Sequence, residues 1–566
     1  MKVCYIWVKD FRNFDNLGLN LSSSSKFYFD NFDNTITKED IVELPENFFG
    51  KSISDVTGII GKNGSGKSNA LELICKILKG GKTFLKTNFI IIIEIAGELI
   101  CHYYFENRAK PRANFKLKFE EFSGNINPLK VIFFSNVFDD RRNGFDKEVS
   151  DISVNNSFKY KPSRSTDFGK QIKFINSKIF KFLDIELPTE VQVKFKTGNN
   201  RYNSSMQQRM YGENYDLIID FQKFFRDRIR DIKPHNKFVN LFRFNYFFEI
   251  FELLSKSHRN GYSGFDVFLQ NFNKFLEEIY NFKYTEEITE KLILFLENEL
   301  VKINPEEFNL FDEDFSIKTN RGNFGLIKKQ INFIKELKEL PISLELQYSP
   351  EGARNRTLDN FIFDYSNKSK NYINEFIHLF EKSTFLDINW LGISSGQKAY
   401  LNLFSSIYDE LKYTRQENLL LCIDEGDLYL HPKWQIEFFD KLLKVLPTIY
   451  LGRIQLVLTS HSPFLLSDLP KQNITILDRE FNNSTIDGIR LKTNTFGGNL
   501  YDLYSEPFFL GNKRTSDFAY DKIKILIESA ESKLLSSTEK KELLKLSDLL
   551  GDEIIQFRIN KLLQDD

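Results

Sequence analysis

The chain has 566 residues, of which 41% are hydrophobic and 27% charged, values that are usual for a globular protein. At about 150 residues per domain, this length is enough for two or three compact regions. The formal net charge of −1 at pH 7 excludes a global electrostatic field that would attract nucleic acid or an acidic membrane. It does not exclude a local basic groove.

Residues 1–160 are predicted to form an N-terminal lobe of short strands around one helix. The opening, MKVCYIWVKDFRNF, lacks the apolar core of a signal peptide and predicts a cytoplasmic protein. Further strand-like runs are KFYFD and VTGIIG, and NALELICKILK has helical periodicity that ends at Gly80-Gly81. Apolar runs on both sides of Ala96-Gly97 predict a β-hairpin. The four cysteines form no CxxC pair and predict buried free thiols in a reducing compartment.

Residues 161–384 are predicted to be an insertion. A mainly helical arm at 198–341 lies between two strand-like runs, VQVKFKTG at 191–198 and ISLELQYS at 342–349. Because the arm has no sustained heptads, its pattern favours a compact arm over a long coiled coil.

Residues 385–513 return to an α/β pattern. Continuous apolar strands are predicted in NLLLCIDEG, IQLVLTSHSP and NITILDRE, and their position between helices predicts a parallel sheet that is buried on both faces. Residues 514–566 are predicted to be a helical tail of mixed charge. The longest apolar runs of the chain, such as FIIIIEIA, are too short to cross a membrane. The whole chain therefore predicts an α/β fold with a helical insertion and a helical tail.

A phosphate-binding loop is predicted at 61–68, where GKNGSGKS fits the pattern G-x-x-x-x-G-K-[ST]. Its glycines let backbone amides surround phosphates, Lys67 reaches the outer phosphates, and the Ser68 hydroxyl is a ligand for Mg²⁺. A strand before the loop and a helix after it are the context that this motif requires. Because both are predicted here, a chance match in a glycine-rich turn is the weaker alternative. The predicted contacts of ATP are Gly61, Asn63, Gly64, Ser65, Gly66, Lys67, Ser68 and Asn69.

Asp424 and Glu425 end a strongly apolar predicted strand, LLLCIDEGD. Burying two adjacent acids at a strand end costs free energy unless the carboxylates bind a partner. The alternative is that the strand runs into an acidic turn with no function. Asp424 is predicted to hold Mg²⁺ beside Ser68, and Glu425 to polarise the water that attacks the γ-phosphate. His461, just after another strand, is predicted to hydrogen-bond the γ-phosphate, with a surface histidine at a turn as the alternative.

The segment ISSGQ at 393–397 opens a predicted helix, which Ser394 or Ser395 can cap. A phosphate loop, ISSGQ, an acidic strand and a strand-end histidine in this order resemble the ABC class of ATPases, whose signature is usually LSGGQ. Here Ser395 replaces the first glycine. The resemblance implies an ABC-type head of mixed and parallel sheets flanked by helices, with one ATPase lobe at each end of the insertion. It also implies a head-to-tail dimer, in which the signature of one copy contacts the ATP of the other through Ser394, Ser395, Gly396 and Gln397.

Lys67 and Asp424 are separated by 357 positions along the chain, a split of the motifs that resembles the SMC, RecF and overcoming-lysogenization-defect group. The opening YIWVKDFRNF and the run DEGDLYLHPKWQ also resemble that group. The segment at 495–523, TFGGNLYDLYSEPFFLGNKRTSDFAYDKI, is similar to a segment of ATPase subunits of bacterial anti-phage systems. These are PtuA of Septu and of certain retrons, and AriA of PARIS.

The resemblance implies an ATP-hydrolysing defence subunit, as a dimer or higher oligomer, that senses infection or controls a toxic effector. Because the six histidines are scattered and only a helical tail follows the last lobe, the effector is expected in a partner such as an HNH or TOPRIM nuclease. A retron reverse transcriptase with its RNA and DNA is a further partner that the resemblance implies. The alternative is a RecF-like or SMC-like ATPase of genome maintenance that clamps DNA. The sequence therefore does not exclude direct contact with DNA. The split motifs disfavour a transporter subunit.

The segment VIFFSNVFDDRRN at 131–143 stands where the ABC class has its Q-loop, but it contains no glutamine. Ser135 or Asn136 are the candidates for that role. Arg141 and Arg142 are candidates for contacts with phosphates or an acidic partner, with a solvated loop as the equal alternative.

Overall fold

The structure is a computed structural model. The part of the chain that it describes comprises residues 1–107, 109–137, 143–159, 167–186, 188–195, 215–229, 232–259, 264–302, 320–337, 346–351, 358–478, 484–505, 515–532 and 535–564.

The strands of the described residues include those predicted from the sequence and several that were not predicted. They are β1 (Lys2–Phe11), β2 (Phe14–Asn20), β3 (Ser25–Asp30), β4 (Thr35–Asp40), β5 (Ile53–Gly61), β6 (Phe89–Ile95), β7 (Glu98–Tyr104), β8 (Arg112–Ala113), β9 (Lys118–Glu121), β10 (Leu129–Ser135), β11 (Val149–Asp151), β12 (Glu190–Phe195), β13 (Leu346–Glu351), β14 (Leu358–Asp364), β15 (Leu386–Leu391), β16 (Asn418–Asp424), β17 (Arg453–Thr459), β18 (Ile474–Asp478) and β19 (Ser484–Asp487).

The helices lie between and after these strands. They are α1 (Lys67–Leu78), α2 (Gly81–Phe84), α3 (Val154–Lys159), α4 (Asp167–Ile175), α5 (Tyr215–Arg228), α6 (Pro234–Arg259), α7 (Gly264–Ile279), α8 (Thr285–Val301), α9 (Asn320–Glu336), α10 (Lys370–Phe380), α11 (Ser395–Leu411), α12 (Pro432–Ile449), α13 (Pro463–Ser467), α14 (Leu500–Ser505), α15 (Asp517–Ala530), α16 (Ser537–Ser547) and α17 (Glu553–Gln564).

The central sheet has seven strands in the order β11-β10-β16-β17-β5-β18-β19. Neighbours from β11 to β18 are parallel, which confirms the predicted parallel sheet, and only β19 is antiparallel. Strands β16 and β17, from late in the chain, lie between β10 and β5, from early in the chain. The two ends of the chain therefore build one sheet together.

Both faces of this sheet are covered, as continuous apolar strands require. Every residue of β16 is buried, and successive residues alternate between two hydrophobic clusters. Leu421 belongs to the cluster that also contains residues of α11 and α12, whereas Leu420 belongs to the cluster of α1. Helices on both sides thus hold the strands from which the site residues extend.

A sheet of order β2-β1-β6-β7-β9 completes the N-terminal region, beside a small sheet of β3, β4 and β8. Its neighbouring strands are antiparallel except for β7 and β9, which are parallel. The predicted hairpin is confirmed, with β6 and β7 joined by Ala96 at φ 51° and Gly97 at φ 82°. All four cysteines are buried free thiols, as predicted.

The insertion contains the strands β12, β13 and β14 and, in its arm, the helices α5–α9. Strand β15, just after the insertion, completes a four-stranded sheet of order β13-β14-β12-β15. Both predicted boundary strands are confirmed where the structure describes them, to residue 195 in β12 and from residue 346 in β13. Many of the phenylalanines pack in the arm, where Phe247, Phe251 and Phe272 are fully buried and their rings lie against one another. Strand β12 also pairs with β15, which leads into the signature at 393–397.

The tail forms α15, α16 and α17, which pack on one another around a small apolar cluster. This confirms its predicted helical character in the described residues. The domain boundaries drawn from the sequence stay a prediction. Of the helices that the structure describes, none is both long enough and apolar enough to cross a membrane.

Candidate active site

The site lies at the edge of the central sheet where four parallel strands end. These are β10 at Ser135, β16 at Asp424, β17 at Thr459 and β5 at Gly61. Because parallel strands end at the same edge, groups far apart in sequence meet there. The strand register pairs Ser135 with Asp424 and Asp424 with Thr459.

The predicted phosphate loop connects β5 to α1. Its backbone needs glycine at two positions, because Gly64 has φ 76° and Gly66 has φ 99°. A Cβ at Gly66 would lie 2.7 Å from Asn13 Nδ2, and one at Gly61 would lie 2.5 Å from the carbonyl oxygen of Leu477. Gly66 is also the N-cap of α1, so the N-terminus of this helix opens onto the loop.

Lys67 is buried at the start of α1. Its Nζ donates to the carbonyl oxygens of Gly61 at 3.0 Å and Lys62 at 3.3 Å, inside its own loop. Burial lowers the pKa of Lys67 to about 8, while the carboxylates of Glu425 and Asp424 oppose this change. The ammonium group therefore lies where the acids and the loop meet.

Asp424 is only 3% exposed and is surrounded by hydroxyl groups. Thr459 Oγ1 donates to its Oδ1 at 2.7 Å, Ser135 Oγ donates to its Oδ2 at 3.4 Å, and the Ser68 hydroxyl also bonds to the carboxylate. Burial raises the pKa of Asp424, and the hydrogen bonds from Thr459 and Ser68 act in the opposite direction. The structure thus brings Ser68 and Asp424 together as the sequence predicted.

These two residues fit a magnesium ion. The hydroxyl of Ser68 and the carboxylate of Asp424 are hard oxygen donors, which Mg²⁺ prefers. A buried carboxylate that burial makes harder to ionise gains from a nearby cation. Ser68 and Asp424 are therefore the residues that would hold the ion.

Glu425 follows Asp424 with its backbone in the left-handed region, at φ 48°. Its Oε1 lies 3.2 Å from His461 Nε2, and the hydrogen bond from His461 lowers the pKa of Glu425. The carboxylate is therefore ionised at neutral pH. Glu425 and His461, which the sequence assigned to the attacking water and to the γ-phosphate, are direct neighbours.

Ser135 and Asn136 also lie at the acids. Besides the bond of Ser135 to Asp424, Asn136 Nδ2 donates to the carbonyl oxygen of Gly426 at 3.2 Å. Which of them takes the role of a Q-loop residue stays a prediction. Arg141 and Arg142 lie outside the described residues.

The signature begins α11. Ser394 is the N-cap, since its Oγ accepts from the Gln397 N–H at 3.2 Å while Gln397 Oε1 accepts from the Ser394 N–H at 2.8 Å. This capping box confirms the predicted cap and assigns it to Ser394, with the exposed Ser395 as the first helical residue. A Cβ at Gly396 would lie 2.8 Å from the carbonyl oxygen of Tyr429, so the helix start packs tightly on the loop before α12.

The signature residues do not join the groups around Asp424. Within the described part of the chain, the hydrogen bonds of Ser394 and Gln397 stay inside their own helix start. The predicted contact of this segment with the nucleotide of a second copy stays a prediction.

Sequence reasoning missed two residues of the site. Thr459 binds both acids, and its position two residues before His461 at a strand end was the available signal. Asn13, in the turn between β1 and β2, donates to the Ser65 carbonyl at 3.5 Å and accepts from Asn69. No local pattern connects that turn with the phosphate loop.

A protein-family model described as "AAA domain, putative AbiEii toxin, Type IV TA system" matches residues 223–467. The matched range covers most of the insertion, the signature, both acids and His461, and begins after the phosphate loop. The chain therefore carries a region similar to this domain.

Two retron proteins are also similar to the chain. It is 34% identical over 99 residues to "Retron Vc95 probable ATPase" of Vibrio cholerae serotype O1 biovar El Tor, a match that covers 16% of this chain and 18% of that protein. It is 25% identical over 169 residues to "Retron Ec83 probable ATPase" of Escherichia coli, covering 28% of this chain and 30% of that protein. The matches thus span less than a third of these relatives.

Proposed function

We propose that the protein binds ATP with Mg²⁺ and hydrolyses it to ADP and phosphate. The observation that carries this proposal is the meeting of Lys67, Asp424, Glu425 and His461 at one sheet edge. The similarity to the AAA family model and to relatives named as probable ATPases supports the same activity.

The phosphate loop and α1 bind the nucleotide. Backbone N–H groups between Gly61 and Ser68 and the N-terminus of α1 attract the phosphates, and Lys67 adds a positive charge. Ser68 and Asp424 would hold Mg²⁺. When bound, this ion neutralises the charge that develops on the phosphates.

Glu425 acts as the base. Its ionised carboxylate takes a proton from a water molecule as the water oxygen bonds to the γ-phosphorus, and the bond from that phosphorus to the bridging oxygen of ADP breaks. His461 keeps the carboxylate ionised and oriented. In this proposal, His461 also hydrogen-bonds the γ-phosphate. The products are ADP and phosphate.

Replacing Glu425 by Gln should preserve ATP binding and slow hydrolysis by about 100-fold or more, because the amide cannot accept the proton. Phosphate release measures turnover, and a fluorescent ATP analogue measures binding. The control Lys67→Ala should bind ATP only weakly and should lose hydrolysis. Unchanged hydrolysis by the Gln variant would refute the role of Glu425, and a wild-type protein that neither binds nor hydrolyses ATP would refute the function.

We further propose that this ATPase belongs to a bacterial anti-phage system of the retron or Septu type, related to PtuA and AriA. Its ATP-bound, head-to-tail dimer would hold a toxic effector, an HNH or TOPRIM nuclease, that a partner supplies. A retron reverse transcriptase with its RNA and DNA would belong to the same assembly. The names of the two retron relatives and the similarity of residues 495–523 support this class.

The Glu425→Gln variant, expressed with its neighbouring genes, should lose protection against phage infection. Protection equal to that of the wild type would show that defence does not require ATP hydrolysis. Tight, salt-dependent DNA binding by the isolated protein, without a co-purifying effector, would favour the alternative of genome maintenance.

A further inference from the structure

The backbone at Glu425 depends on its surroundings. A non-glycine residue at φ 48° is uncommon, and it persists only where neighbouring groups hold it. The direction of the Glu425 side chain follows from this backbone conformation. The groups that bind the peptide between Asp424 and Glu425 therefore control where the base points.

Thr459 binds both acidic residues with one hydroxyl. Its Oγ1 donates to Asp424 Oδ1 at 2.7 Å and accepts the backbone N–H of Glu425 at 3.0 Å. Because the hydroxyl donates one hydrogen bond and accepts another, its orientation is determined. Of the side chains in the described part of the chain, Thr459 alone hydrogen-bonds to both acids.

The strand register places this hydroxyl. Thr459 ends β17 directly beside Asp424, which ends the adjacent parallel strand β16. Thr459 is 2% exposed, and its branched side chain has few rotamers in a strand. Water therefore has little access to replace a hydroxyl that is removed from this position.

The residues that follow Thr459 bind the loop after the acids and the helix α12 that follows this loop. Ser460 Oγ donates to Asp427 Oδ2 at 2.5 Å, and Ser462 Oγ donates to Gln435 Oε1 at 3.1 Å. The first contact holds the loop at Asp427 and the second holds the start of α12, whereas Thr459 binds the acids themselves. The loss of Thr459 alone should therefore affect the acids while the loop stays in place.

We propose that Thr459 is a positioning residue for hydrolysis, which aims Glu425 at the attacking water and orients Asp424 without touching the substrate. This inference rests on the proposed ATPase function. Without the hydroxyl, the Glu425 N–H and one Asp424 oxygen lose a partner, and the backbone can leave its left-handed conformation. Nucleotide binding depends mainly on the phosphate loop, so it should change much less than turnover.

The test compares Thr459→Val, which has nearly the same shape without the hydroxyl, with Thr459→Ser, which keeps it. We expect kcat of the Val variant to fall at least about tenfold, while its affinity for a fluorescent, non-hydrolysable ATP analogue with Mg²⁺ stays within about threefold of wild type. The Ser variant should recover kcat to within about threefold. If the Val variant does not fold, Thr459→Ala is judged by the same criteria.

A matched control is Thr475→Val in β18. Thr475 is also buried in the central sheet, but its Oγ1 donates to the carbonyl oxygen of Asn20, away from the acids. Its kcat should stay within about twofold of wild type.

Three results would overturn the inference: a Thr459→Val variant that loses less than about tenfold in kcat, a Ser variant no faster than the Val variant, or a tenfold loss of nucleotide affinity alongside kcat. An inactive wild-type protein would instead refute the proposed ATPase function, so the two failures are distinguishable.

Discussion

At the scale of single residues, burial sets the charge of Lys67. Lys67 is 5% exposed, and its ammonium group donates to two carbonyl oxygens of its own loop. Burial lowers its pKa to about 8, so the group is protonated at neutral pH and loses its proton as the pH rises through that value. The positive charge that attracts phosphate is therefore present mainly below about pH 8.

We expect ATP affinity to weaken as the pH rises through the Lys67 pKa of about 8, because neutral Lys67 no longer attracts phosphate. Bound phosphate favours the protonated lysine and moves this transition somewhat higher. A fluorescent ATP analogue, titrated at pH values between about 7 and 10, measures the change. The Lys67→Ala variant should bind weakly with no such transition. A wild-type affinity that is constant over the same range would contradict the expectation.

At the scale of elements, the start of α11 is both capped by Ser394 and packed against the loop before α12. The Ser394 hydroxyl accepts the Gln397 N–H, and this cap leaves its O–H able to donate to a phosphate oxygen. The same helix start lies against the loop before α12, at the Gly396 contact with Tyr429. The position of the signature therefore depends on the loop that follows the acidic strand.

Replacing Gly396 by Ala should disturb this contact. The added Cβ would lie 2.8 Å from the Tyr429 carbonyl oxygen, which forces the helix start and the loop apart. We expect the free energy of unfolding to fall by about 1–3 kcal/mol and ATP hydrolysis to slow. Denaturant unfolding and phosphate release measure the two effects.

The matched control is Gly325→Ala in α9, where an added Cβ meets no atom within 4 Å. It should be neutral or stabilise the protein by up to about 1 kcal/mol, because alanine favours the helix. Equal stability of the Gly396 and Gly325 variants would show that the tight contact has no energetic consequence.

At the scale of the whole molecule, the insertion holds its own arm in place and also packs on the signature helix. Lys237 of α6 lies 3.1 Å from Asp359 of β14, and Thr384, just before β15, donates to Glu249 of α6 through its Oγ1 at 3.0 Å. Helix α4 packs along α11. The arm is therefore bonded to the rest of the insertion, and the insertion in turn contacts the signature helix through α4.

The proposed head-to-tail dimer predicts complementation between two inactive chains. Ser394→Arg should bind ATP but not hydrolyse it, since the arginine would block the nucleotide of the other copy. Lys67→Ala should fail at its own phosphate loop. A mixed dimer combines one intact loop with one intact signature, so an equal mixture should recover about a quarter of wild-type phosphate release.

Each variant alone is the control for this mixture. No recovery on mixing would contradict a site shared between copies. Normal hydrolysis by the Ser394→Arg variant would show that the signature segment only begins a helix and does not contact the nucleotide.

Short-range patterns made a large part of this site predictable. The phosphate loop, the apolar strand that ends at Asp424 and the cap at Ser394 each depend on residues within about two helical turns or one strand, where spacing determines conformation. The same applies to the parallel sheet, because continuous apolar strands must be covered on both faces.

The sequence by itself determined which chemical groups this protein carries and which local element presents each of them. Only the tertiary structure decided which distant groups meet: Thr459 with both acids, Asn13 with the phosphate loop, and Gly396 with Tyr429. These contacts follow from the strand order β10-β16-β17-β5 and from helix packing, which no local spacing encodes. The physical reason is that strand order arises from the burial of the whole sheet, summed over the chain, and not from any single segment.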